Sequence, residues 1–178
     1  MGFDSVGVIP GDVQEFFLHW QVVGKTGLIP RLQDFLDFPP FKLQSEVAIV
    51  DVGGEGDLRF RLFGTGLSSL AGRDWTGMDV LTNFHPSARA EAMRTASLAV
   101  SRPCGYFVTR YVQRVVIETR AIGIGLPFLN DKSGQVGLLT FSSLIDRTTQ
   151  VIAGEAESFV RAVPLMRWID IGAGIPGN

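Results

Sequence analysis

Cysteine is almost missing from this chain: Cys104 stands alone in 178 residues. A lone thiol excludes an internal disulfide and agrees with a reducing compartment. Histidine occurs only as His19 and His85. Two imidazoles and one thiol cannot complete a three- or four-ligand zinc site without several carboxylates, so no metal is expected. Lysine is scarce as well, Lys25, Lys42 and Lys132 being the only three among 16 basic residues; the remainder are Arg, which suits planar, partly buried ion pairs or an anion. The formal charge of −2 gives no general field for nucleic acid or an anionic lipid surface. No apolar run reaches the ~18 residues of a membrane span. The opening MGFDSVGVIPGD has no basic segment ahead of an apolar core, so no secretory signal is evident. A cytoplasmic protein is expected, with no membrane or nucleic-acid partner.

What is abundant is apolar. Hydrophobic residues make up 46% and charged ones 19%, with 13 Phe and 21 Gly. A chain of this length fits one domain and buries roughly 70% of its unfolded surface, so it needs no staple. Asp12 and Glu15 resemble an acidic capping box ahead of Val13, Phe16, Phe17, Trp20 and Val23 at helical spacing, which predicts a helix stopped at Gly24. Its aromatic face, Phe16, Phe17 and Trp20, is too broad for water. It must meet either the chain's own sheet or a second copy, and a homodimer through these three residues is expected.

Residues 25–45 read as a proline-punctuated connection, with a helical turn over 41–45. Strands are expected at 46–52 and 58–63, joined by the turn Gly53-Gly54-Glu55-Gly56-Asp57, as a hairpin with one core face. Residues 64–85, rich in glycine and without a period, read as short helical turns crossing the sheet. Pro86 fits the first turn of a helix that Pro103 stops. Strands at 104–112, 115–126 and 135–144 form a meander. Residues 155–168 read as a helix interrupted at Pro164. Five antiparallel strands with helices on one face, plus the N-terminal helix, make an α+β architecture.

That order is the PAS topology, and particular residues agree with it. Trp20 in the first helix, followed by Pro30-Arg31, is similar to the opening of a bacterial stand-alone PAS subfamily. Arg59-Phe60-Arg61-Leu62-Phe63-Gly64-Thr65, then Gly72-Arg73-Asp74-Trp75-Thr76-Gly77, resembles its signature, and Leu126-Pro127-Phe128 resembles the end of its fourth strand. The resemblance spans residues 12–146, leaving a loose arm at 1–11 and a C-terminal extension at 147–178. It implies ligand sensing, dimerisation or signal relay. Fold alone does not fix function.

Several motifs are weaker than they look. Gly24-Lys25-Thr26 follows a helix and lacks the glycine a phosphate loop needs at position 19, which is His. Gly172-Ala173-Gly174-Ile175-Pro176-Gly177 is followed by Asn178 alone, with no helix to receive a pyrophosphate. His85, at the entry to the Pro86 helix, is either a capping residue or, by resemblance to haem-binding PAS domains, an axial ligand. Cys104 reads as a buried structural thiol. No Ser/His/acid grouping stands out, and no enzymatic activity is expected.

Alternation and the position of the crossing predict a ligand pocket or filled core lined by Phe60, Leu62, Trp75, Phe84, Met93, Phe107, Tyr111, Ile117, Thr119, Leu139 and Phe141. A one-residue change at the turn near Gln113 would instead turn Tyr106 and Arg110 inward. Arg61 and Asp74 are expected either to pair with each other or to leave Arg61 for an anionic ligand. Three functions follow from this reading. The first is a sensory domain holding a small apolar or amphipathic ligand and acting on an unknown signalling partner. The others are a ligand-free interaction adaptor and, with Tyr and Thr as poor acid–base equipment, a small-molecule enzyme.

Overall fold

Helix α1 (Gly11–Val22) lies where its apolar stripe directs it, with Val13, Phe16, Phe17 and Trp20 buried. The computed structural model describes residues 9–24, 27–54, 57–114, 117–149 and 159–177. Asp12 and Glu15 form no capping box. Pro10 is the N-cap and its ring makes no capping hydrogen bond, while Asp12 accepts a hydrogen bond from the Ser143 hydroxyl at 2.6 Å and so ties the helix to the sheet.

Among the described residues six strands pair antiparallel into one sheet: β1 (Val47–Val52), β2 (Leu58–Phe63), β3 (Gly105–Arg114), β4 (Ile117–Leu129), β5 (Val136–Thr149) and β6 (Phe159–Ile169). Their spatial order is β2-β1-β5-β4-β3-β6. The expected α+β fold is present with one strand more than the sequence suggested. The helix expected over 155–168 is replaced, in its described part, by β6, which pairs with β3. Pro164 explains why. A helix interior cannot supply the N–H that proline lacks, whereas an edge strand or bulge tolerates it. The register against β3 breaks between Val108 and Arg110, opposite the stretch that contains Pro164.

Helices lie on both faces, the N-terminal helix on one and the crossing helices on the other. On the first face, α1 packs with the short α2 (Leu32–Asp37), whose Leu32 and Phe35 are buried. Beneath them lie Phe107, Ile124, Leu126, Phe128, Leu139 and Phe141. Phe16 stacks on Phe141 at 5.1 Å, and the Trp20 indole donates to the Pro127 carbonyl at 3.0 Å. Phe16, Phe17 and Trp20 are therefore spent inside the protomer, 0%, 6% and 1% exposed, and are not free to meet a second copy. Their apolar surface is removed from water against the sheet residues beneath them. The segment read as a connection contains α2 because Leu32 and Phe35, three apart, present one buried side, and Pro30 places its carbonyl on the Leu129 amide at 2.9 Å.

On the second face lie α3 (Thr65–Ala71), a 3₁₀ turn at Val80–Asn83, and α4 (Pro86–Ser101). The signature residues stitch this crossing to β2. Asp74 accepts from the Thr76 amide at 2.9 Å and hydroxyl at 2.8 Å, bonds that hold its carboxyl below the usual range. The Thr76 hydroxyl oxygen accepts from the Phe63 amide at 3.1 Å. Arg59 donates to the Gly77 carbonyl at 3.0 Å. Gly72 and Gly77 have φ of 76° and 81°, left-handed values that favour glycine. Asp74 does not pair with Arg61, which instead grips Asp51 on β1 at 2.8 and 3.0 Å. Asp74 is turned back on its own loop, so the nearer acid across the hairpin takes the guanidinium.

Candidate ligand cavity

Between the second face of the sheet and the layer of α3, the 3₁₀ turn and α4 lies a cavity of about 600 Å³. Its walls are mostly apolar. Val50, Leu58 and Phe60 come from the β1–β2 hairpin, Leu67 from α3, Val80 and Phe84 from the crossing, and Leu138 from β5. Helix α4 presents Ala88, Ala92 and Ala96, short side chains that do not fill the space. Val160 and Met166 of β6 close one side, and β6 is fastened there by the His85 amide, which donates to the Val160 carbonyl at 3.2 Å.

Of the residues expected to line a pocket, Phe60 and Phe84 do so. Trp75 and Met93 belong to the same apolar cluster but are not among the residues of the wall. Leu62 is 40% exposed and points away from it. The cause is a bulge: Ile49 pairs with Leu62 but Val50 with Phe60, so Arg61 is an extra residue that reverses the alternation. Phe63 takes the inward place, edge-to-face with Phe60 at 4.9 Å. Phe107, Leu139 and Phe141 lie on the opposite face beneath α1. Tyr111 shares the parity of Phe107 and is absent from the cavity wall. The side chains of Ile117 and Thr119 lie outside the described residues.

The other register of the hairpin is the one adopted. Tyr106, Val108, Arg110 and Val112 face the cavity, with Tyr106 opposite Gly125 and Val108 opposite Gly123. Those glycines leave room for long side chains to lie across the sheet. A Cβ at position 125 would run into the Tyr106 ring, and one at 123 would sit 3.4 Å from the Arg110 guanidinium carbon. Burial raises the Tyr106 phenol above its ordinary value, opposed by the neighbouring Arg110 charge and a hydrogen bond from it. Arg110 also lies 5.8 Å from the centre of the Phe84 ring, a contact of about 0.5–1 kcal/mol. Its Nε is buried and donates to none of the described residues.

The other charged residue of the wall is Glu91. Arg94 holds it with bonds of 2.8 and 3.0 Å, which with Thr95 lower its carboxyl below the usual range. No histidine lines the cavity. His85 caps α4, its Nδ1 2.7 Å from the Ser87 hydroxyl, so the cavity wall offers a haem no imidazole. Among the described residues no group of three His, Cys, Asp or Glu gathers for a metal ion. Cys104 is fully buried at the head of β3, where burial and, secondarily, Asp170 push its thiol up to about 11. That is poor chemistry for a nucleophile. No helix among the described residues is long and apolar enough to cross a membrane.

No curated protein and no solved structure gives a significant match to the chain. A family model described as PAS domain matches residues 11–136, from the start of α1 to the first residue of β5, and so takes in α1, the crossing and most of the cavity wall. The chain belongs to the PAS domain family.

Proposed function

We propose that this chain is a sensory domain whose cavity binds a small amphipathic molecule and whose occupancy is passed to another protein chain. PAS domains are in general sensory rather than enzymatic. The observation that carries the ligand reading is the space of about 600 Å³ between the sheet and α4. Well-packed interiors leave few voids larger than a water molecule, whereas sites for small molecules run from about 300 to 1,000 Å³. A filled-core adaptor accounts less well for three alanines facing a hollow. An enzyme would need a free acid or base there, and Glu91 is already engaged by Arg94.

Native mass spectrometry of gently purified protein tests the reading. One small molecule should travel with the folded chain and leave on denaturation. Bare protein, together with no thermal shift from added amphipathic probes, overturns it. The receiver in this reading is a second copy of the chain. With Phe16, Phe17 and Trp20 buried, the apolar surface that supports such contact is Leu18, Val22, Phe38 and Phe41, all exposed. Light scattering over a concentration series should show a dimer; a monomer throughout removes this part.

A further inference from the structure

We infer that Arg110 and Tyr106 anchor the carboxylate of an amphipathic monocarboxylic acid, whose hydrocarbon part occupies the apolar remainder of the cavity. This rests on the cavity being a ligand site, as proposed above, and adds the chemical class of the ligand.

Charge supplies the first argument. The cavity wall carries one acid and one base, Glu91 and Arg110. Glu91 is neutralised from outside by Arg94, so it neither repels an incoming anion nor pairs with Arg110. Among the described residues none forms an ion pair with Arg110, and its Nε is buried without an acceptor. A buried guanidinium N–H without an acceptor is costly, and an entering anion relieves that cost.

Pre-organisation supplies the second. The space over Gly123 and Gly125 lets the guanidinium and the phenol rest flat on the sheet, side by side on the cavity floor. Little side-chain freedom is left to lose when a ligand arrives. The Tyr106 hydroxyl keeps its proton at neutral pH, because burial moves its ionisation upward, and so remains a donor.

The shape of the site decides the class. A carboxylate is planar and singly charged. It matches the parallel N–H groups of one Arg, with a hydroxyl as a further donor. A phosphate dianion would call for more positive charge than the single guanidinium at this wall. Val50, Leu58, Leu67, Val80 and Leu138 make the rest of the surface suitable for an alkyl or aryl body.

Calorimetric titration of the full chain with decanoate and with decanol tests this. Decanoate should bind roughly tenfold or more tighter than decanol, the scale of a charge-assisted hydrogen bond. Arg110→Leu should bring the two to equal affinity while still binding decanol, which shows that the cavity has folded. Arg110→Lys should keep part of the preference. Equal binding of both probes to the unaltered protein, or a preference that survives Arg110→Leu, overturns the carboxylate assignment and leaves the ligand site standing. If neither probe binds, the ligand reading and this one fall together.

Discussion

The two faces of the sheet hold interiors of opposite character. Under α1, large side chains interlock: Phe16 lies on Phe141, Trp20 is bonded to the Pro127 carbonyl, and Leu126, Phe128 and Leu139 are fully buried beneath them. Under α4, alanines face a hollow with an arginine in its floor. The strands between them are shared, but alternate residues turn to opposite faces, Phe107, Phe128 and Phe141 to the first and Val50, Val108 and Leu138 to the second. The helices add to the difference, α1 presenting Phe16, Phe17 and Trp20 where α4 presents Ala88, Ala92 and Ala96. One face is closely packed, and the other leaves volume and charge unspent.

Neighbouring leucines on β5 offer the sharpest way to break that contrast, because Leu138 and Leu139 point to opposite faces and are 1% and 0% exposed. Leu139→Ala should cost about 4 kcal/mol and Leu138→Ala about 2, since a residue beside an existing void loses fewer contacts when truncated. Equal shifts of the urea midpoint would show the faces to be packed alike. Next in size, Gly125→Val should destabilise by about 1–3 kcal/mol by driving the Tyr106 ring off the sheet, and should weaken decanoate more than decanol in the same titration. Filling the hollow by Ala92→Leu should change stability by less than about 1 kcal/mol yet abolish decanol binding. A large loss of stability there would mean that the space is not available.

The last prediction is a pH dependence. In the unfolded chain the Cys104 thiol has its ordinary value of 9.0, and in the fold burial pushes it up to about 11. Between those values the folded protein keeps a proton that the unfolded chain has lost, so stability falls as pH rises through the window. Urea midpoints of the parent and Cys104→Ala, compared at pH 8 and pH 11, should therefore converge toward the alkaline end. A gap that stays constant would show that the thiol is not perturbed.

Much of this arrangement was legible in the sequence. The α1 stripe, the hairpins and the proline-opened α4 all lie close to where spacing places them. The faces were not legible, and the reason is physical. Period-two alternation identifies a core face only when the other side is wet, whereas here Phe107 and Tyr106 are both buried, so neither parity stood out. The turn between β3 and β4 then decided which set lined the cavity. Leu62 failed for a separate reason, the bulge at Arg61, which no composition signal announces. β6 was hidden by spacing that also suits a helix, and Pro164 alone argued for an edge. Arg110 was named only as the alternative, although an arginine inside a strand of apolar neighbours was the one available hint.

Tyr106 touches the ring of Trp168 on β6 edge-to-face at 6.2 Å. The indole thus abuts a side chain of the cavity floor, while Trp20 of α1 is buried against the first face and Trp75 belongs to the apolar cluster of the second. The protein carries its own optical reporters, one for each zone. With Trp20 and Trp75 replaced by phenylalanine, the emission of Trp168 should register occupancy of the floor without any added dye, at the nanosecond timescale of the excited state and in dilute solution.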